Sequence, residues 1–430
     1  MKKKLREGIL PFRIERTDEA LIARGGLILP CEFARTLKLP AVIDRELPGP
    51  GSSHSYKPSQ FVMPLILTIH GGGKKLEDLR EIRDEESLRE LLKMKDLPAS
   101  CTVGDWLRRI GQHEKGLPGL GKVSKHLLYE ILKRDPRKEY TLDSDATVIE
   151  SEKEEARWTY KKEKGYQPLL GFLFELGLIL RDEFREGNVP AGEGALKFLA
   201  GCLSLMPEGK RISYYRSDSA AYQAEVMNLC FKDHIWFTIT ADQDKAVKEA
   251  IKTIKEEEWQ PYDKDRQIAE TVHTMNKTTE AFRLIVQRWP KLQPDLFDPD
   301  PYCYHAIATN REEEAKEVVA LHNQRGQIEN FIKELKDGFG MNWMPCGETY
   351  ANAVFFRIGV IAYNLFQAIK LLALPAWWRN ATIATARWKL YQVAAKVVHH
   401  AHQIIMKLAI SMEKIRLFRK ARYICAQLEY

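Results

Sequence analysis

Three carboxylates in this chain stand where acids are unusual. Asp145 lies in Asp143-Ser-Asp-Ala-Thr147, within an alternating stretch, Tyr140–Ile149, that puts Leu142, Ala146 and Val148 on one side and Asp143, Asp145 and Thr147 on the other. Asp218 closes the strand-like run Ile212–Asp218, just before a helix begins at Ser219. A carboxylate in a sheet is costly to desolvate unless something positive meets it. Divalent ions such as Mg²⁺ or Mn²⁺ are one such partner for oxygen ligands. Asp218 also reads as a helix N-cap, and Asp143, on the same strand face, rivals Asp145.

The third carboxylate sits in His322-Asn-Gln-Arg325-Gly-Gln-Ile-Glu329-Asn-Phe-Ile-Lys333-Glu-Leu-Lys336. At about 100° per residue, His322, Arg325, Glu329 and Lys336 fall in a stripe about 60° wide, with Lys333 at its margin. Ile328, Phe331, Ile332 and Leu335 are left for the buried side. Taken alone, Arg-x3-Glu-x6-Lys also describes a salt-bridged helix face.

The elements that must position these residues change character along the chain. The first ~120 residues predict helical pieces at Cys31–Leu39, Gln60–His70, Leu76–Met94 and Val103–Ile110, with a Gly/Ser/Pro-rich loop over Pro48–Ser59. Two short helices around the turn at Pro98–Thr102 admit a helix-turn-helix as well as ordinary helix packing. Gly71-Gly-Gly-Lys74 is not a phosphate loop, since Thr68 and Lys75 stand where a Gly and a Ser or Thr are required. It reads as a helix-ending glycine cluster.

From Tyr140 onward, strands are expected at Tyr140–Ile149, Tyr166–Phe174, Leu178–Phe184, Ile212–Asp218 and Ile235–Thr240, with helices at Gly192–Met206 and Ala220–Cys230. That order describes a mixed α/β sheet. Strand-like pieces at Arg283–Gln287 and Tyr302–Thr309 lie in an irregular region. One helix is expected over Glu312–Lys336, and the rest to Leu428 reads as helical.

Composition narrows the class. The chain has 430 residues, 44% hydrophobic and 29% charged, with 66 Lys+Arg against 59 Asp+Glu for a net +7. It reads as globular and not as a disordered or collagen-like chain. The charge is uneven: Lys370–Arg422 holds 11 basic residues and one acid, and Met1–Arg16 holds six Lys/Arg and two Glu. Such asymmetry suits two ends that touch a polyanion, or simply solvated helix faces. Seven scattered cysteines without CxxC argue for reduced thiols and against a zinc site. No signal-peptide core opens the chain, and Arg357, Asn364, Gln367 and Lys370 interrupt its longest apolar stretch, so no membrane partner is expected.

The ordered set Asp145-Ala-Thr147, Arg216-Ser-Asp218-Ser219 and Arg325-x3-Glu329-x6-Lys336 resembles the DDE transposases of bacterial insertion sequences. The match is to the branch with the signature Y-x2-R-x3-E-x6-K, with His322 in place of the Tyr. Asn352-Ala-Val and Ala362-Tyr-Asn-Leu365 resemble the helix that follows the signature. The resemblance covers residues ~60–410 and favours Asp145 over Asp143.

It implies a ribonuclease-H-like catalytic domain at 136–345, a mixed five-stranded sheet with helices. A largely β insertion would span about 242–310, between a helical DNA-binding region at 1–130 and a helical region at 346–430. Further implied are two divalent ions, Mg²⁺ or Mn²⁺, held by Asp145, Asp218 and Glu329 about 3.5–4 Å apart, with water and then a freed 3′-OH as nucleophiles. His322, Arg325, Lys333 and Lys336 would contact DNA phosphates, and exchange of His322 for Tyr should preserve activity.

The expected partners are double-stranded DNA, as terminal inverted repeats and target, and a second copy in a synaptic homodimer. The expected location is a bacterial cytoplasm, at the nucleoid. If cleavage passes through a hairpin, Trp259, Trp289, Tyr302 and Tyr304 are candidates to stack a flipped base. A non-catalytic repressor derivative and another ribonuclease-H-like nuclease are the competing readings.

Overall fold

Apolar spacing in the first third of the chain gathers five helices around one hydrophobic axis. In the computed structural model, which describes residues 14–52, 55–293 and 300–428, these are α1 (Ile28–Thr36), α2 (Leu39–Glu46), α3 (Ser59–Gly71), α4 (Ser100–Gln112) and α5 (Gly116–Leu132). Gly72 ends α3 at φ 103°, and the Gly73 amide donates to the Thr68 carbonyl, so the glycine cluster is a helix stop. The amphipathic stretch 76–94 is not one helix but a 3₁₀ turn followed by Arg80–Arg83 and Glu86–Leu91. α4 buries Val103, Trp106, Leu107 and Ile110; the Trp106 ring stacks on Phe61 at 4.7 Å, and Arg108 Nε donates to Glu348 at 2.9 Å. Residues 92–99 separate Glu86–Leu91 from α4, a stretch longer than the turn a helix-turn-helix uses.

The alternating segments form the predicted mixed sheet. Its centre comprises β1 (Glu139–Ala146), β2 (Leu169–Leu173), β3 (Leu178–Glu183), β4 (Arg211–Ser217) and β5 (Trp236–Thr240), in spatial order β3-β2-β1-β4-β5. β1 runs parallel to β4 and β4 to β5, while β2 is antiparallel to β1 and to β3. Helices α6 (Ala195–Leu203) and α7 (Ala224–Lys232) make the connections that parallel strands require. This is the mixed five-stranded arrangement of a ribonuclease-H-like core.

Beyond β5, helix α8 (Lys245–Lys252) leads to Gln260–Pro261, β6 (Gln267–His273), β7 (Phe282–Pro290) and β8 (Tyr302–Thr309). β8 pairs antiparallel with β5, so the added strands prolong the same sheet to nine strands among the described residues. The helix expected over Glu312–Lys336 is broken. It consists of α9 (Ala315–Asn323), a 3₁₀ turn at Gln324–Gly326, α10 (Gln327–Lys333) and a π turn at Glu334–Gly338.

Helix α11 (Thr349–Leu372) is the axis on which the N-terminal helices and the sheet edge meet. It is long and apolar enough to cross a membrane by length and composition, but 89% of its most apolar stretch is buried inside the protein. Its Asn364 side chain works as a peptide group would: Oδ1 accepts from the Ile179 amide at 2.9 Å, and Nδ2 donates to the Ile179 carbonyl at 2.8 Å. The outer edge of β3 is thereby capped, a position that otherwise invites strand pairing. Arg357 Nε adds a 2.6 Å bond to Asp182 on the same strand.

The C-terminal segment differs from its helical expectation. Ala395–His400 and Gln403–Leu408 form a hairpin, joined by Leu21–Ile22, before α12 (Met412–Leu428). The β-branched doublets Val397-Val398 and Ile404-Ile405 favour strands. The turn at Ala401-His402 takes positive φ without a glycine, which hid it from sequence inspection.

Candidate active site

β1 and β4 lie parallel with Asp143 opposite Arg216 and Ser144 opposite Ser217, so Asp145 and Asp218 come next along the paired strand ends. Asp143 is fully buried and makes a two-pronged ion pair with Arg216, 2.6 Å from Nε to Oδ1 and 2.8 Å from Nη2 to Oδ2. Arg216 Nη1 also donates to the Leu321 carbonyl at 2.7 Å. The pair therefore joins both central strands to the end of α9, just ahead of Arg325. Both oxygens of Asp143 are thereby engaged, in contrast to those of Asp145. Sequence parity held a signal for this pair: Asp143 and Arg216 each precede a candidate acid by two residues.

Asp145 and Asp218 converge on one cation. Arg325 Nη2 lies 3.8 Å from Asp145 Oδ1 and 3.8 Å from Asp218 Oδ2. Asp218 also caps the 3₁₀ turn that follows it, accepting from the Ala220 amide at 3.1 Å. Asp218 is thus an N-cap through Oδ1 and faces Arg325 through Oδ2. Burial raises the Asp145 carboxyl to about 6, Arg325 pulls it down, and the charges of Asp218 and Glu329 push it up.

Glu329, exposed on α10, faces Asp145 across an open cavity of about 290 Å³ that is also lined by Thr147, Lys333 and Lys336. Lys333 is exposed, whereas Lys336 is half-buried with Nζ donating to the Val148 carbonyl at 2.7 Å. Four of the seven residues singled out in the sequence, Asp145, Glu329, Lys333 and Lys336, therefore line one cavity, and Arg325 and Asp218 adjoin it at Asp145.

His322 does not. It is buried, with Nδ1 3.0 Å from the Thr238 hydroxyl and Nε2 3.1 Å from the Thr240 hydroxyl on β5. Burial pushes its pKa down to about 3, so it is neutral at ordinary pH. The expected phosphate contact is withdrawn, and a tyrosine here would add volume to a packed site. His322, in the last turn of α9, faces β5, while Arg325, in the 3₁₀ turn that follows, faces the acids.

Among the described residues, no three His, Cys, Asp or Glu side chains stand together in a cluster ready to hold a metal ion. The chemistry of the donors nevertheless suits a hard divalent cation. All are carboxylate oxygens, and Asp145 and Asp218 already share a positive partner in Arg325.

The aromatics proposed for base stacking are engaged elsewhere. The Arg288 guanidinium lies 4.1 Å from the Trp259 ring centre and 4.3 Å from that of Tyr302, while the Tyr304 hydroxyl donates to Asp300 at 3.2 Å. Trp289 is half-buried.

A family model described as Transposase DDE domain group 1 matches residues 11–429, and the chain belongs to that family. Among solved structures, it is similar to a cryo-EM structure of a piggyBac transposase synaptic complex with hairpin DNA. The identity is 9%, the TM-score 0.46, and the match covers 95% of this chain and 81% of that one. A comparison with curated proteins gives no match.

Proposed function

We propose that this protein is an active transposase that binds the terminal inverted repeats of an insertion sequence and moves it by DNA cleavage and strand transfer. The observation that carries this reading is the convergence of Asp145 and Asp218 on Arg325, with Glu329 across a cavity from Asp145. A binding-only derivative has no need of three acids at strand and helix ends, and a minimal nuclease has no need of the strands added beyond β5.

Asp145, Asp218 and Glu329 would hold two divalent ions, Mg²⁺ or Mn²⁺, which when bound activate the entering oxygen and stabilise the leaving one. Arg325 offsets the mutual repulsion of the two aspartates and supplies a cation beside the strand to be cut. Lys333 and Lys336 place positive charge at the cleft wall, where phosphates neighbouring the cut would lie. Asp143 and Arg216 hold the two strand ends and the approach to α10 in register. On DNA the protein would act as a pair of copies, one per element end, in the bacterial cytoplasm at the nucleoid.

The test is incubation with a duplex carrying the DNA that flanks the gene, with Mg²⁺ or Mn²⁺, for wild type, Asp145→Asn and Glu329→Gln. Each substitution is expected to lower cleavage at least about 100-fold with folding intact. Undiminished cleavage in both would overturn the assignment. Binding without cleavage by wild type would favour the repressor reading.

A further inference from the structure

Directly after Asp145 the chain leaves the main sheet and builds a small one of its own. Ile149–Glu150, Lys164–Tyr166 and Arg157–Trp158 pair in that order as an antiparallel flap. Its tip, Arg157-Trp-Thr-Tyr-Lys-Lys-Glu-Lys164, carries four cations and one acid. Trp158 is 69% exposed and Tyr160 71% exposed, while Thr159 between them is buried. Both rings are thus exposed, Trp158 at the end of its strand and Tyr160 in the turn that follows.

The base of the flap is fixed. Lys336 Nζ holds the Val148 carbonyl at its root, and the Glu155 carboxylate accepts from the Thr349 amide at 2.7 Å at the start of α11. Two glycines let three backbones meet beneath it: a Cβ on Gly165 would come 2.1 Å from the Ile149 carbonyl oxygen, and one on Gly187 would come 2.4 Å from that of Arg157. At the tip, the Thr159 amide donates to the Glu163 carbonyl at 2.8 Å and closes the turn.

We propose that the flap is a stacking platform for unpaired nucleotides beside the scissile phosphate, with Trp158 and Tyr160 taking bases and Lys161 and Lys162 taking phosphates. Two exposed aromatic rings beside cations, on a ribbon anchored at its base, are what single-stranded nucleic acid requires. Every base offers a ring face, and the backbone is an anion. A duplex hides its base faces, so the occupant is DNA opened or frayed next to the cut. The proposal rests on the transposase reading and adds to it a binding site for single-stranded DNA.

The test is a gel-shift titration in EDTA with a blunt duplex and with the same duplex bearing a three-nucleotide unpaired tail. Wild type should prefer the tailed duplex. Trp158→Ala with Tyr160→Ala should lose about tenfold of that preference, while Trp158→Phe with Tyr160→Phe retains it. Lys161→Gln with Lys162→Gln should reduce the slope of log affinity against log salt by about 1.4–1.8. An alanine pair with native circular dichroism and undiminished preference would overturn the proposal, as would a wild type indifferent to the tail. Metal-dependent cleavage measured in parallel separates the two readings. If wild type cleaves and the alanine pair keeps its preference, only the flap assignment fails; if wild type neither binds nor cleaves DNA, the transposase reading fails with it.

Discussion

Asp145 combines burial with two acidic neighbours, and its carboxyl is raised to about 6. A carboxyl raised on folding binds its proton more tightly in the native state. Its contribution to stability is therefore complete below about pH 4 and lost as pH rises through 6. Asp145→Asn removes that dependence. In metal-free buffer the variant should melt higher than wild type at pH 8 and at the same temperature at pH 4; a gain that ignored pH would trace the effect to another cause. Residue types made Asp145, Asp218 and Glu329 visible in the sequence because acids at strand ends and beside a cationic helix are conspicuous. His322 misled for a physical reason: a helical stripe says which residues share a side, not how far along that side the cleft extends, and only the tertiary contact with Thr238 and Thr240 reveals where the ring lies.

Among the elements, the end of β3 and the middle of α11 depend on each other through Asn364. Replacing it with alanine leaves the Ile179 amide and carbonyl without their partners and opens a buried cavity. We expect a loss of about 1–3 kcal/mol in denaturant unfolding and more self-association by light scattering as the edge becomes available. A variant as stable and as monodisperse as wild type would refute the capping role. The sequence showed Asn364 as part of a family-like string, but not that its amide substitutes for a strand. Strand alternation identified β1 to β5, and strand-like pieces found part of β7 and all of β8. β6 escaped because Gln267–His273 is exposed at every second or third position and carries little apolar pattern. The C-terminal hairpin escaped because its turn lacks the usual Asn-Gly signal.

At the scale of the molecule, the uneven charge divides into structural and exposed parts. Lys370 donates to the Ala381 carbonyl, Arg387 binds the carbonyls of Ile69, His70 and Gly338, and Arg422 grips Glu32. These cations hold the fold together, which total charge could not disclose. Arg416, Arg419 and Lys420 remain exposed on α12. Changing all three to Gln should lower the slope of log DNA affinity against log salt by up to about 2.7; an unchanged slope would make that face solvent-bearing only. The basic cluster at the start of the chain lies mostly outside the described residues. The dependence of β3 on α11 also bears on synthesis. Ile179 and Asn364 are 185 residues apart, so at 5–20 residues per second the ribosome delivers the second roughly ten to forty seconds after the first. For that interval the nascent sheet has an open edge, and a chaperone that shields exposed strands would find its binding site there until α11 emerges.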